Sequence, residues 1–123
     1  MDEAAEPNQG TCPHRDGVPQ DLPHRTLRGF QQHIEALYGE RDAARGLAST
    51  YMWFAEEVGE LARAIRSGDP ENLRTEVGDV LAWLATLASL TGVDLEKAAS
   101  RYSSGCPRCG EIPCGCRRGP ARS

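Results

Sequence analysis

The segment 67–70, Ser-Gly-Asp-Pro, constrains the fold of this chain more than any other feature of its sequence. Before it, apolar residues recur at helical spacing from about Ser49 to Arg66, and after it a similar pattern runs from Pro70 to Leu90. Ser-Gly is typical of a helix end, and Asp followed by Pro is typical of a helix start. Because so short a connection turns the chain back directly, the two segments are predicted to pack as an antiparallel helical hairpin.

Two further helices are predicted to flank the hairpin. The first begins at Thr26, and Gly39 is expected to end it, because glycine is common just after a helix. A short fourth helix is predicted over Leu95–Tyr102, with Asp94 as its N-cap. No segment alternates in the two-residue period of a strand for long enough to indicate a sheet. The sequence therefore predicts an all-α fold, a hairpin with flanking helices arranged like a four-helix bundle.

The positions of proline, glycine and cysteine divide the chain into three parts. Residues 1–23 are rich in proline and glycine and poor in large apolar residues, so they are predicted to form a flexible tail. Residues 24–105 contain the helical domain, and residues 106–123 form a cysteine-rich C-terminal tail. A helical domain of this size buries only a modest core. Assembly into a homo-dimer or homo-tetramer is therefore expected to complete the bundle.

The net charge of -4 argues against general binding to nucleic acid, which needs a basic surface. No apolar run reaches the roughly 20 residues that a membrane-spanning helix needs. The chain begins with acidic residues and no apolar stretch follows them, unlike a secretory signal. These observations predict a cytoplasmic protein that does not bind membranes.

Each helix of the predicted hairpin has an apolar face, expected to form the core, and beside it a flanking face with two acids and a tryptophan. On the first helix the apolar face is Tyr51, Phe54, Ala55, Val58, Leu61, Ala62 and Ile65, and the flanking face is Trp53, Glu57, Glu60 and Ala64. On the second helix the apolar face is Leu73, Val77, Val80, Leu81, Leu84 and Ala88, and the flanking face is Glu76, Asp79 and Trp83.

These four flanking acids have two interpretations. Residues three apart on a helix are neighbours, and four converging carboxylates would repel one another unless a cation lay among them. Oxygen ligands on rigid helices suit Mg²⁺ or Mn²⁺. Alternatively, the acids are solvated surface charges, some of them paired with Arg63, Arg66 or Arg74. Gly59 and Gly78 favour the metal site, because a helical glycine costs about 1 kcal/mol and indicates close approach of the two helices or of a ligand.

The two acidic motifs resemble those of a known family. Residues 56–61 read Glu-Glu-Val-Gly-Glu-Leu and residues 76–81 read Glu-Val-Gly-Asp-Val-Leu, which is similar to the EExxE…ExxD motif of MazG-like nucleoside triphosphate pyrophosphohydrolases. That all-α superfamily also contains the dimeric dUTPases and the dCTP pyrophosphatases. The resemblance covers about residues 26–105 and includes Trp53, the turn at 68–70 and the start of the last helix at 92–95.

The resemblance implies cleavage of a nucleoside triphosphate between its α- and β-phosphates, giving a monophosphate and pyrophosphate, in the service of nucleotide-pool housecleaning. Position by position, it also implies a set of Mg²⁺ ligands and an accessory acid or base at Glu56. The implied ligands are Glu57, Glu60, Glu76 and Asp79.

Four more residues are candidate substrate contacts. Lys97 and Arg101 resemble the family's basic residues that hold the phosphate tail, and plain surface charge is the alternative. Trp53 and Trp83 are candidates to stack on the base or line its pocket. For the tryptophans, packing in the hairpin or at a subunit interface is the alternative.

Four cysteines crowd into the C-terminal tail as a CxxC followed by a CxC, namely Cys106, Cys109, Cys114 and Cys116. Four thiolates can complete a tetrahedral zinc site, and the Cys-Pro-x-Cys-Gly turn is typical of zinc knuckles. Free thiols or a redox pair are the alternatives. We favour a structural Zn²⁺ site.

The leading functional hypothesis is therefore a pyrophosphohydrolase. The alternative is a non-catalytic, oligomeric helical module whose zinc-knuckle tail contacts nucleic acid or another protein. Retention of all four implied metal ligands favours the enzyme.

Overall fold

The chain forms four α-helices joined by short turns in the computed structural model, which describes residues 26–117. The helices are α1 (Leu27–Arg45), α2 (Leu47–Ser67), α3 (Pro70–Leu90) and α4 (Leu95–Ala99), and a 3-10 turn, Ser100–Tyr102, follows α4. Residues 26–117 contain no strand, so the predicted all-α fold is confirmed. The predicted tail at residues 1–23 lies outside the described residues, and the three-part division of the chain stays a prediction.

Side-chain caps start the helices where the sequence indicated. The Asp69 carboxylate accepts a hydrogen bond from the backbone N–H of Glu71, and Pro70 occupies the first turn of α3. The Asp94 carboxylate caps α4 by accepting from two backbone N–H groups. These caps satisfy donors that the first turn of a helix leaves without a partner.

The prediction that Gly39 ends the first helix is wrong. Helix α1 continues to Arg45 and ends at Gly46, whose φ of 90° is a conformation that side-chain-bearing residues rarely adopt. The cost of about 1 kcal/mol for a glycine inside a helix is small compared with tertiary packing. In the turn after Gly39, the side chains of Asp42 and Arg45 are buried and form an ion pair, which stabilises the helix beyond Gly39.

Helices α2 and α3 form the predicted hairpin and make the most extensive contact in the structure. Helix α1 packs mainly on α3. The Gln31 amide fastens this packing, because it donates to the Ser89 hydroxyl at 3.1 Å and the Val93 carbonyl at 2.8 Å and accepts from the Leu95 N–H at 2.8 Å. One side chain thus connects α1 to the end of α3 and to the start of α4.

The prediction that the apolar face of α2 forms the core is wrong within a single chain. Tyr51 is 57% exposed, Val58 43% and Ile65 61%, whereas Thr50 and Ala64 are fully buried. Helix α2 therefore turns the face that carries its acids toward α3, and one partner helix can cover only one face. On α3 the apolar face is also largely open: Val77, Leu81 and Leu84 are all exposed.

The buried apolar core of the described residues is small, as expected, and consists of Ile34, Ala64, Ala85 and Ala88. Within residues 26–117, no single helix is long and apolar enough to cross a membrane. The bent pair formed by α3 and the segment Leu95–Tyr102 passes the same test by length and composition alone.

Candidate active site

Three of the four acids suggested by the sequence meet between the hairpin helices. Glu57 comes from α2, and Glu76 and Asp79 come from α3. One carboxylate oxygen from each lies within 4.8 Å of the others. We call these three residues the acidic cluster. Since the hairpin turn at 68–70 sets the register of the two helices, the cluster is a direct product of the local sequence.

Two oxygens of the acidic cluster are buried without a partner. Glu57 Oε1 and Glu76 Oε1 are shielded from solvent, and neither makes a hydrogen bond with the described residues. A buried acceptor that makes no bond costs about 1–3 kcal/mol, and more when it is charged. These oxygens face the seam between the helices. A divalent cation bound there would be a suitable partner, because such ions prefer carboxylate oxygen ligands.

The crowding of the acidic cluster changes its protonation. Burial and the neighbouring charges of Asp79 and Glu76 raise the pKa of Glu57 from 4.5 to about 7. Burial, followed by the charge of Glu76, also raises the pKa of Asp79. Both shifts have the direction expected for carboxylates held close together with little solvent between them. The charged form of the cluster is therefore disfavoured until positive charge is supplied.

Glu60 and Glu56 lie outside the acidic cluster. Glu60 is on α2 beside Glu57, and its Oε2 is 3.8 Å from the Arg63 guanidinium. Its negative charge contributes to the raised pKa of Glu57, which shows that it is still close to the cluster. Glu56 is exposed on the same helix. The structure thus gathers three of the five acids that the sequence singled out.

Trp53 and Trp83 lie one turn from the acids on their respective helices and contact each other. Their ring centroids are 6.4 Å apart with an angle of 16° between the planes. The Arg45 guanidinium lies 4.9 Å from the centroid of Trp83. The two rings therefore pack within the hairpin, and Arg45 covers part of this pair.

A buried polar network beside the tryptophans is absent from the sequence prediction. The Asp42 carboxylate accepts a hydrogen bond from the Thr86 hydroxyl at 3.0 Å and pairs with Arg45 at 3.0 Å. Arg45 also donates to the Thr50 hydroxyl at 3.2 Å. A signal was available, since Ile34 and Asp42 are eight residues apart on one side of α1, and Arg45 lies one turn further.

Lys97 and Arg101 lie beyond the end of α3, whereas the acids lie in its first half. Leu90 lies eleven positions after Asp79 on α3, which is about 16 Å along the helix axis. Lys97 is exposed, and Arg101 donates to the Tyr102 hydroxyl at 3.0 Å. A contact of either residue with a phosphate chain stays a prediction.

The two glycines in the acidic motifs do not mark close contact between the helices. A Cβ atom at either Gly59 or Gly78 would have nothing within 4 Å. The expectation of close helix approach at these positions is therefore wrong, because both glycines lie on the open side of their helices. The space beside them is available to a ligand or a second subunit.

The four C-terminal cysteines form a second cluster, with their Sγ atoms within 4.8 Å of one another. We call Cys106, Cys109, Cys114 and Cys116 the thiol cluster. Backbone N–H groups of Cys109 and Arg108 lower the pKa of Cys106 to about 6. All four are free cysteines.

The fold and the acidic cluster together define a class of protein, a helical hairpin that presents convergent carboxylates suited to a divalent metal. Comparison with protein families then identifies it: the model of the MazG nucleotide pyrophosphohydrolase domain matches residues 45–106. This match covers half of the chain and contains both acidic motifs, so the chain belongs to the MazG nucleotide pyrophosphohydrolase family. None of the curated proteins compared with the chain matches it.

Membership makes the protein a pyrophosphohydrolase at the level of the family, with nucleotides as the class of substrate. Members of the family generally use divalent metals. The match ends at Cys106, so most of the thiol cluster and all of α1 before Arg45 lie outside it. The sequence-based family prediction is confirmed.

Proposed function

We propose that this protein hydrolyses nucleoside triphosphates to the monophosphate and pyrophosphate, as a nucleotide-pool housecleaning enzyme of the cytoplasm. The observation that carries the proposal is the acidic cluster, where Glu57 and Glu76 each direct a buried, unpartnered oxygen into the seam of a hairpin of this family. Carboxylate oxygens that are shielded from solvent and held close together repel one another, and a divalent cation between them would relieve this repulsion.

The residues of the acidic cluster are proposed to hold Mg²⁺ or Mn²⁺, and their donors fit such an ion. Glu57, Glu76 and Asp79 supply hard carboxylate oxygens, with two of those oxygens lacking any other partner. Glu60 is the proposed fourth ligand, because it lies next to the cluster and only a long contact holds it to Arg63. The bound ion would neutralise phosphate charge and lower the pKa of a water molecule.

The remaining residues are proposed to position the substrate and move one proton. Water attacks the α-phosphorus, the bond from that phosphorus to the α,β-bridging oxygen breaks, and pyrophosphate leaves with the bonding electrons. Glu56, exposed on α2 next to Glu57, is proposed to orient this water and accept its proton.

Four residues are proposed to contact the substrate. The cations Lys97 and Arg101 would contact the phosphate tail. Trp53 and Trp83 would line the nucleoside side of the site, since each lies one turn from an acid of the cluster.

Turnover on a panel of triphosphates tests the proposal. The purified chain is incubated with canonical and modified nucleoside triphosphates and Mg²⁺, and pyrophosphate and monophosphate are measured. We expect equal amounts of both products from at least one substrate, and none without a divalent ion. Absence of turnover on every substrate by a folded sample would contradict the proposal and favour the non-catalytic binding module.

The open apolar faces of the hairpin support assembly of identical chains. Tyr51, Val58 and Ile65 recur every seven residues along α2, and each is exposed. Large exposed apolar patches are uncommon on monomers. We propose that a second copy of the chain covers this face, giving a homo-dimer or a homo-tetramer.

The mass in solution tests the proposed assembly. We expect a dimer or tetramer by light scattering, and a monomer after Ile65→Glu. Gln32→Glu adds the same charge at an exposed position of α1 and is the matched control. A monomeric wild-type chain would contradict the proposal.

A further inference from the structure

The segment that follows the last helical turn, residues 103–117, is ordered without a core of its own. Its residues are exposed except for Gly105 and Cys106, which are half-buried, and its one large aliphatic side chain, Ile112, is 79% exposed. Ordering the backbone costs about 1–2 kcal/mol per residue. Burial of apolar surface does not offset this cost here, so another interaction must hold the segment.

The thiol cluster lies at the centre of this segment. Cys106 Sγ is 3.9 Å from Cys116 Sγ and 3.6 Å from Cys114 Sγ, and Cys109 Sγ is 4.0 Å from Cys114 Sγ. A disulfide bond is about 2.0 Å long, so these sulfur atoms are not covalently joined. These are three of the six sulfur–sulfur separations, and all four sulfur atoms lie within 4.8 Å of one another.

The sulfur separations match one coordination geometry. A zinc–thiolate bond is about 2.3 Å, so a regular tetrahedron of four sulfurs around zinc has edges of about 3.8 Å. The three separations given above lie on both sides of this value, within about 0.2 Å of it. We propose that Cys106, Cys109, Cys114 and Cys116 bind one Zn²⁺ ion as a tetrahedral four-thiolate site.

The backbone of the segment is arranged for thiolate sulfur. Backbone N–H groups of Arg108, Gly115 and Cys116 donate to the Sγ atoms of Cys106, Cys109 and Cys114, respectively, at 3.2–3.3 Å. Such N–H groups offset part of the negative charge that four thiolates would bring to one zinc ion. Three of the four sulfurs thus receive a main-chain donor.

Gly105 allows the close turn that brings the first thiol into position. Its φ is 123°, and a Cβ atom there would lie only 2.6 Å from the carbonyl oxygen of Gly110. Any larger residue would force the loop apart. The backbone also closes on itself, because the Gly110 N–H donates to the Cys106 carbonyl at 2.7 Å.

The proposed zinc site is structural. Four protein ligands fill a tetrahedral shell and leave no open position for water or substrate. Each thiol that is protonated before binding releases its proton to solvent as the zinc–sulfur bond forms, so uptake of the ion is favoured at higher pH. The site is separate from the acidic cluster, whose oxygen donors suit a harder ion.

Metal analysis of the full-length chain tests the proposal. The protein is purified, dialysed against metal-free buffer, and its zinc and iron are measured by mass spectrometry. We expect one zinc per chain in the wild type, and loss of that zinc from Cys106→Ser and from Cys114→Ser. Cys12→Ser removes the one cysteine outside the cluster and is the matched control, which is expected to keep its zinc.

Limited proteolysis gives a second, independent measurement. Arg108 lies inside the proposed zinc loop, and trypsin cleaves after arginine only where the backbone can open. We expect cleavage after Arg108 to be slow with zinc bound and fast after treatment with a chelator, while the helical circular dichroism signal is unchanged. The unchanged signal excludes global unfolding as the cause.

Several results would overturn the zinc site. They are a wild-type chain that holds no zinc, a Cys106→Ser variant that keeps a full equivalent, or iron in place of zinc. Loss of the ion from Cys12→Ser would overturn the assignment of the four ligands. None of these measurements uses turnover, so failure of the zinc proposal and failure of the proposed hydrolysis can be told apart.

Discussion

The acidic cluster and the thiol cluster bring charged ligands together by opposite means. The acids lie on two helices of 21 residues each, and backbone hydrogen bonds and helix packing fix their positions. The thiols lie in a loop whose residues are exposed apart from Gly105 and Cys106. In the hairpin the fold creates the site, and in the loop the bound ion is proposed to create the fold.

This difference has an energetic consequence. A rigid scaffold can hold carboxylates together at an electrostatic cost, which is visible in the raised pKa of Glu57. Such a site remains available for an ion that enters and leaves with substrate, as Mg²⁺ commonly does. A loop without a core has no packing that could hold like-charged ligands together against their repulsion, so it suits an ion that stays bound.

The largest expected effect is the loss of turnover when a cluster acid is neutralised. Glu57→Gln or Asp79→Asn should lower kcat/KM by more than about a hundredfold, the upper end of what removal of an outer-shell group costs. The helices should remain folded, because neutralising an acid of the cluster removes repulsion between its carboxylates. Steady-state kinetics and circular dichroism check both halves of this prediction.

The matched control for these variants is Glu71→Gln on α3. Glu71 is an exposed acid paired with Arg74 at 3.0 Å, outside the cluster, so its loss should leave turnover unchanged. Equal losses in Glu71→Gln and Glu57→Gln would refute the special role of the cluster.

A smaller effect is expected at Glu60. Its carboxylate lies outside the cluster and contacts Arg63, so Glu60→Gln should lower kcat/KM by about tenfold, within the range of supporting ligands. Titration with Mg²⁺ should show weaker binding together with a smaller change in kcat. A loss of kcat/KM as large as that of Glu57→Gln would show that Glu60 contributes as much to turnover as the three cluster acids do.

The pH dependence of stability should reveal the unfavourable free energy of ionising Glu57 within the acidic cluster. Glu57 has a pKa of about 7 in the folded chain against 4.5 when unperturbed, so between these values the folded state keeps a proton that the unfolded state has lost. The stability that this group contributes is therefore full below pH 4.5 and is lost as the pH rises through about 7.

Without divalent ions, the unfolding temperature of the wild type should thus fall by several degrees between about pH 5 and 7. Saturating Mg²⁺ should reverse this fall, since the ion binds the ionised acids. Glu57→Gln should show a flatter profile, and the difference between the two proteins removes the contribution of histidines. Identical profiles would contradict the assignment of the raised pKa to Glu57.

The smallest effect is expected from the thiol cluster on catalysis. Cys109→Ser should change kcat/KM by less than about twofold, equivalent to about 0.4 kcal/mol. A large loss would show that the two clusters do not act separately.

The sequence predicted those parts of the molecule that local rules govern. The turn at 68–70 fixes the hairpin, and the spacing of Glu76 and Asp79 puts both on one side of α3, so the acidic cluster could be predicted. The face of α2 that packs on α3 could not be predicted. Apolar residues such as Tyr51 and Ile65 are equally suited to a core within this chain and to an interface with another chain. That choice depends on tertiary packing.

The Asp42–Arg45 pair shows a second limit. A single charged residue on a helix is a surface group in most cases. Although Asp42 lies on the same side of α1 as Ile34, nothing local identifies its hydrogen-bond partner, Thr86, which is forty-four residues away. Glu60 was placed with the other acids for the converse reason. Its spacing is right, but spacing does not determine which rotamer the side chain adopts or whether Arg63 engages it.

The single residue between α1 and α2 has a consequence for motion during turnover. Gly46 gives the backbone freedom to bend there, yet Arg45 on one side bonds Thr50 on the other, and Asp42 pairs with the same guanidinium. Swinging α1 outward would break two hydrogen bonds to charged groups, from Arg45 to Thr50 and from Thr86 to Asp42, each of which contributes about 1.5–3 kcal/mol. Helix α1 is therefore expected to move with the hairpin as one body, so that adjustment to substrate depends on side chains.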